Sequence, residues 1–224
     1  MEIVDKIKEF SNRNYFSLSQ CIEHGITRYE ISQLQDKGLI TKVKYGLYAF
    51  SDILEDELFI PQVFSNKIVY SNETALYFEG YSDQVPFTYT VTVPKGYHSK
   101  ILWNDFIVRQ TPIELFDKGI KEISSPYGNP IKIYCIERTL CDLLRSRKDF
   151  NKERYIPAVQ KYMRSKQKDL YKIMEYAKLL NVENKKSNAA QSSDKEQIKR
   201  IEYISATSAS ELLYGMFYSQ TLPF

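Results

Sequence analysis

The chain has 224 residues, 43% of them hydrophobic, which is enough for one large or two modest domains with real cores. A formal net charge of only +3 excludes a protein that holds nucleic acid by bulk charge, but not one with a local basic patch. No apolar run approaches the roughly 20 residues of a membrane span, and the cysteines Cys21, Cys135 and Cys141 have neither a disulfide framework nor a zinc spacing.

In chain order, Ile3, Ile7 and Phe10 recur at spacings of four and three and predict a helix from about Glu2 to Phe10. Ser17 and Gln20 form a capping box, so a second helix runs from Ser17 to about His24, and Gly25 ends it. The next helix starts two residues later, the tight turn of a helix-turn-helix. Its start is marked by a second capping box, Thr27 with Glu30, and by Ile26 and Ile31 at the staple positions. Gly38 stands where a left-handed C-terminal cap belongs, with Leu34 and Leu39 placed for the accompanying apolar contact. At about 100° per residue, Ile31 and Leu34 point one way. Arg28, Tyr29, Ser32, Gln33 and Asp36 point the other way or to its flanks, a face rich in groups that can read a groove. L-I-T-K-V, a turn at Lys44-Tyr45-Gly46 and L-Y-A-F then predict a hairpin whose Gly46 supplies a positive φ.

Three helices and a basic-tipped wing fit within residues 1–50, a winged helix-turn-helix. Its candidate DNA contacts are Arg28, Tyr29, Ser32 and Gln33 on the recognition helix, with Lys42, Lys44 and Tyr45 on the wing. Seven cations against six acids leave this module at +1, and Asp36 on the same face would repel phosphate or accept from cytosine N4. Residues 51–56, S-D-I-L-E-D, read as a linker.

From Glu57 to about Arg147 the pattern is mixed α/β, within a domain assigned to residues 57–224. A helix begins in E-L-F-I-P-Q-V-F, with Pro61 tolerated only near its first turn. Another is capped near Ser71 and Asn72 and ended by Gly80. F-T-Y-T-V-T-V-P is a strand stopped by Pro94, D-F-I-V-R-Q-T is another, and Y-G-N-P leads into the strand I-K-I-Y. C-I-E-R-T-L-C-D-L-L-R reads as an amphipathic helix with Ile136, Leu140 and Leu143 or Leu144 inward. From Ser146 onward the chain turns helical and basic, with helices expected at 154–164, 169–180 and 195–217 and a polar loop at 181–197. Sixteen cations against nine acids give residues 145–224 a charge of +7. The fold class is therefore α+β: a winged module, a mixed α/β domain and a helical C-terminal part.

The candidates for catalysis are weak. Glu137, Arg138, Thr139 and Asp142 open a helix after a strand, where carboxylates also serve as partners of the helix dipole. His24 and His98 lack partners for a triad or a metal site, and no Gly-rich phosphate loop is present. No catalytic residue, metal ligand or cofactor is assigned.

The stretch R-Y-E-I-S-Q-L-Q-D-K-G-L-I-T-K-V-K-Y-G-L-Y resembles the winged helix of AbiEi-type abortive-infection antitoxins, in which a leucine-spaced helix runs into K-G-L-I, a basic residue and G-x-Y. S-N-E-T-A-L-Y-F-E-G-Y-S-D-Q-V-P, T-V-T-V-P-K-G and I-E-R-T-L-C-D-L-L follow in the family's order, so the resemblance spans about residues 1–147. It implies a bacterial antitoxin of a phage-defence toxin–antitoxin system that represses its own promoter by binding inverted repeats, two copies per operator. It also implies a nucleotidyltransferase-like toxin countered without a stable complex. The expected setting is the cytoplasm, since M-E-I-V-D-K-I-K has no signal layout. Two other readings stand beside it: an enzyme acting on nucleic acid or nucleotides through the α/β part, and a module whose basic helices dock an acidic partner.

Overall fold

The computed structural model describes residues 2–44, 46–98, 105–145 and 152–180. The expected helix at 195–217 and the loop at 181–197 lie outside them. The chain divides into two compact units, Met1–Val69 with Glu122–Lys132, and Tyr70–Lys121 with Ile133–Phe224.

The first unit opens with α1 (Glu2–Phe10), β1 (Tyr15–Ser17), α2 (Leu18–Glu23), α3 (Arg28–Asp36), β2 (Ile40–Lys42) and β3 (Leu47–Phe50). The three strands form an antiparallel sheet in the order β1-β3-β2, with Tyr15 opposite Ala49 and Ile40 opposite Phe50. The strand β1 has no counterpart in the sequence reading. Only three residues long, it exists by pairing with β3 thirty residues later, and no local periodicity announces it. The core gathers one or two residues from every element: Ile7, Phe16, Cys21, Ile26, Ile31, Leu34, Ile40, Tyr48 and Phe50, with Ile3 and Phe10 packed at its edge. Burial in this cluster pushes the Cys21 thiol up to about 11.

Beyond the sheet, α4 (Ile60–Phe64) carries Pro61 in its first turn, where the missing N–H costs nothing. The segment before it was expected to be a plain connection, yet Asp56 is 0% exposed. Its carboxylate accepts from Leu58 N at 3.1 Å, Phe59 N at 3.2 Å, Ser125 Oγ at 2.5 Å and Asn129 Nδ2 at 2.8 Å. Its own N–H donates to Tyr15 Oη at 3.0 Å. Gln62 completes the attachment of residues 122–132 by donating to Lys132 O at 2.8 Å and accepting from Lys132 N at 2.7 Å, as a strand partner would.

The remaining strands are β4 (Val69–Tyr70), β5 (Thr90–Pro94), β6 (Ile107–Thr111), β7 (Ile120–Ser124) and β8 (Pro130–Tyr134), ordered β6-β5-β4-β8-β7. Neighbours β5 and β6 run parallel, as do β4 and β8. The second unit adds α5 (Asn72–Phe78), α6 (Ile113–Phe116), α7 (Ile136–Arg145), α8 (Lys152–Arg164) and α9 (Leu170–Leu179). All five residues of β5 are buried, because α5 and α6 both pack on it; its alternating sequence is not a sign of one wet face. Ser71 occupies the N-cap of α5 without capping it; its Oγ instead accepts from Thr92 Oγ1 at 2.8 Å. Asn72 follows with φ +50°, a left-handed conformation that asparagine tolerates better than most residues. Among the described residues no helix is long and apolar enough to cross a membrane.

Replacing Asp56 by alanine strips four donors of their shared acceptor in a dry site. The loss expected from urea unfolding is about 3 kcal/mol, the upper part of the range for hydrogen bonds to a charged group. Tyr15→Phe, which keeps the ring against Phe59, should lose only about 1 kcal/mol. An unchanged midpoint for Asp56→Ala would remove Asp56 from its place as the organiser of this unit.

Candidate nucleic-acid interface

The element that carries the candidate residues is α3, and both of its ends are closed by side-chain and backbone bonds. Thr27 Oγ1 accepts from Glu30 N at 3.2 Å, while Glu30 Oε2 accepts from Thr27 N at 2.8 Å and from Thr27 Oγ1 at 2.7 Å. These bonds favour the ionised carboxylate and hold the Glu30 pKa below its ordinary value, the backbone bond first. At the other end Leu39 N donates to Leu34 O at 3.0 Å and Gly38 N to Gln35 O at 2.9 Å, a Schellman closure that needs the φ of +70° at Gly38. The helix before it ends the same way, with Ile26 N on Cys21 O at 2.8 Å and Gly25 at φ +75°. Its start carries the expected box between Ser17 and Gln20. Ile26 and Ile31 are both buried in one cluster, as a staple requires.

With Ile31 and Leu34 buried beneath, the outer face of α3 presents Arg28, Tyr29, Ser32, Gln33 and Asp36, all exposed. Gln35, which the sequence reading left out, is exposed as well. Helical geometry puts it about 20° from Arg28 seven positions earlier, so the i, i+7 relation was there to find. Tyr29 is 71% exposed, and its hydroxyl accepts from Gln33 Nε2 at 2.9 Å across one turn. The hairpin forms where expected: Leu47 N donates to Lys44 O at 2.7 Å, Val43 N to Leu47 O at 3.0 Å, and Gly46 has φ +81°. Lys42 and Lys44 are exposed, whereas Tyr45 lies outside the described residues. Thr41, also exposed on β2, bonds Ser51 across the hairpin at 3.1 Å.

Residues 5–51 match the family profile described as "Transcriptional regulator, AbiEi antitoxin". This segment is therefore similar to the regulator module of AbiEi-type antitoxins. The match covers about a fifth of the chain and contains every element from α1 to β3 in whole or part. Among solved structures, the crystal structure of the RV2827C protein from Mycobacterium tuberculosis aligns with 91% of this chain and 79% of its own, at 14% identity and a TM-score of 0.46. No curated protein matches the chain.

Outside the matched segment, the polar residues of α7 are placed differently from the expectation of an amphipathic helix. Ile136, Leu140 and Leu143 do face inward, but Glu137, Arg138, Thr139 and Asp142 are buried too. Arg138, 0% exposed, lies 4.5 Å over the Tyr134 ring and donates to Asp142 Oδ2 at 2.7 Å and to the carbonyls of Leu115 and Lys118 at 2.9 Å. Glu137 accepts from Tyr162 Oη at 3.1 Å and lies 3.3 Å from Lys172 Nζ. Burial pushes the Cys141 thiol on the same helix up to about 12. His24 stacks on Phe10 at 4.2 Å and bonds Gln20 O, and His98 is exposed. No group of three or more metal-ligating side chains gathers among the described residues.

The capping box of α3 makes two measurable demands. Thr27→Ala should cost about 1 kcal/mol of stability by removing the N-cap acceptor. Because the folded Glu30 pKa lies below its unfolded value, the contribution of Glu30 is complete above the ordinary glutamate value of about 4.3 and is lost as pH falls through the folded value. Melting curves of the wild type and Glu30→Gln should therefore differ at neutral pH and converge in acid. Curves that stay parallel to the lowest pH would mean the box is not formed in solution.

Proposed function

We propose that residues 1–50 are a winged helix-turn-helix that binds promoter DNA, with α3 in the major groove and the β2–β3 hairpin as the wing on the neighbouring backbone. The observation that carries this reading is the outward face of α3: hydrogen-bonding side chains on a helix capped at both ends, inside the segment that matches the regulator family. Arg28, Tyr29, Ser32 and Gln33 reach base edges or adjacent phosphates, and Lys42, Lys44 and Tyr45 meet the backbone or the minor groove. The target is an inverted repeat in the protein's own promoter, occupied by two copies whose recognition helices sit about 34 Å apart, one turn of the duplex. The protein thereby represses its own transcription and serves as the antitoxin of a phage-defence system. Its toxin is a nucleotidyltransferase-like protein that it counters without a lasting complex.

On this reading the chain acts by binding and not by catalysis. In support, the carboxylates of α7 are already engaged by Arg138, Tyr162 and Lys172 in a buried setting.

The test is fluorescence anisotropy of the full chain on the duplex upstream of its gene, with a scrambled duplex as competitor, at several stated salt concentrations. Arg28→Ala with Lys44→Ala should weaken binding and flatten the slope of log K against log salt by about one to two units. Equal affinity for the two duplexes, or a double variant that binds as the wild type does, would sink the assignment of this face.

A further inference from the structure

Resting on the DNA-binding reading above, we infer that Gln33 reads an adenine in the major groove, and that Tyr29 sets this choice by occupying one hydrogen-bonding position of the Gln33 amide. Tyr29 and Gln33 are one turn apart on α3, and both are exposed on its outer face. The amide donates to the tyrosine hydroxyl at 2.9 Å, and the Gln33 side chain makes no other hydrogen bond among the described residues.

A glutamine amide offers two donors and one oxygen with two lone pairs. With one N–H committed to Tyr29, what faces outward is one donor beside one acceptor. Only this orientation withholds a donor: a hydroxyl donating to Oε1 would leave both N–H groups free for guanine.

The four bases differ in what they present to that pair. Adenine shows the N7 acceptor beside the N6 donor, which matches it in both positions. Guanine shows two acceptors, N7 and O6, and asks for two donors. A free glutamine can turn both N–H groups toward them; one held by Tyr29 can give only one. Thymine and cytosine each offer a single group, O4 or N4. Tyr29 therefore acts against guanine as well as for adenine, and it is a positioning residue for this step. The bond also reduces the side-chain freedom lost on binding, since a glutamine otherwise pays among the largest rotamer entropies.

The probe is a pool of random-sequence duplexes from which the full-length protein selects its sites, followed by anisotropy on the best duplex and its single-base variants. A shared adenine is expected in each half-site. Its replacement by 7-deazaadenine, which lacks only the N7 acceptor, should weaken the wild type by about 3- to 10-fold, the worth of one of the two bonds. Gln33→Ala should bind the two duplexes equally. Tyr29→Phe should lower the ratio of adenine-duplex to guanine-duplex affinity at least 5-fold relative to the wild type, whatever it does to affinity for both. A tyrosine with only a packing role would change affinity for both duplexes alike. Gln33→Glu, which keeps an acceptor and loses the donors, should lose the adenine preference and supplies a second variant at the same exposed position. An enriched site whose base preferences are unchanged in Gln33→Ala overturns the inference and leaves DNA reading intact. A pool with no enrichment overturns both.

Discussion

A helix of nine residues has too few internal bonds to hold itself, since isolated helices below about 12–15 residues are marginal in water. The α3 helix is that short, and only Ile31 and Leu34 anchor it to the core. Burying two aliphatic side chains contributes roughly 1.5–3 kcal/mol each. A good N-cap contributes about 1 kcal/mol, so closure of the ends is of the same order as the packing. The core settles where α3 lies, while the Thr27–Glu30 box and the Gly38 closure settle where it starts and stops. The direction in which Arg28, Tyr29, Ser32 and Gln33 point follows from both together.

Each unit also relies on one buried charge to join segments that are distant in sequence. In the first, Asp56 gathers Tyr15, the backbone at 58–59, Ser125 and Asn129. In the second, Arg138 gathers Leu115, Lys118, Asp142 and the Tyr134 ring. Buried charges of this kind add little over an apolar core of equal shape, but losing one partner costs about 3–5 kcal/mol. Their effect is to make one arrangement far better than its neighbours. For Asp56 this means that residues 122–132 are tied by its carboxylate to the same residue whose backbone N–H reaches the β1 tyrosine, so the first unit is not a contiguous stretch of chain.

The same contrast explains what the sequence could reveal. Capping boxes, staples and glycine closures act over three to six residues, so α2, α3 and the hairpin were legible together with their ends. The helices expected at 154–164 and 169–180 stand at 152–164 and 170–179, and Asp169 caps the second by accepting from Lys172 N. The distant partners of β1, Asp56 and Arg138 lie between about 20 and 70 residues away, and nothing local marks them. Asp56 looked like one more acid in a polar connection. Glu137, Arg138 and Asp142 looked like the wet side of an amphipathic helix because their cation, carbonyl and hydroxyl partners come from other elements. On the outer face of α3, single residues were visible by type, but the Tyr29–Gln33 bond had to be seen, since the i, i+4 spacing permits it without requiring it.

The charge balance bears on how such a surface would work on DNA. The module at 1–50 has nearly equal numbers of cations and acids, and Asp36 stands exposed among the candidate contacts. Three cations near the groove release few counterions, and each phosphate neutralised changes the slope of log K against log salt by only about 0.9. Non-specific affinity is then small, so little protein is held on the wrong sequence. The cost is that one copy gains little from the backbone, and discrimination has to come from base edges read by uncharged groups such as the Gln33 amide. Two copies on an inverted repeat double both terms without making either copy more basic. A nearly neutral module with a polar recognition face is therefore suited to a repressor of one promoter, and poorly suited to coating DNA.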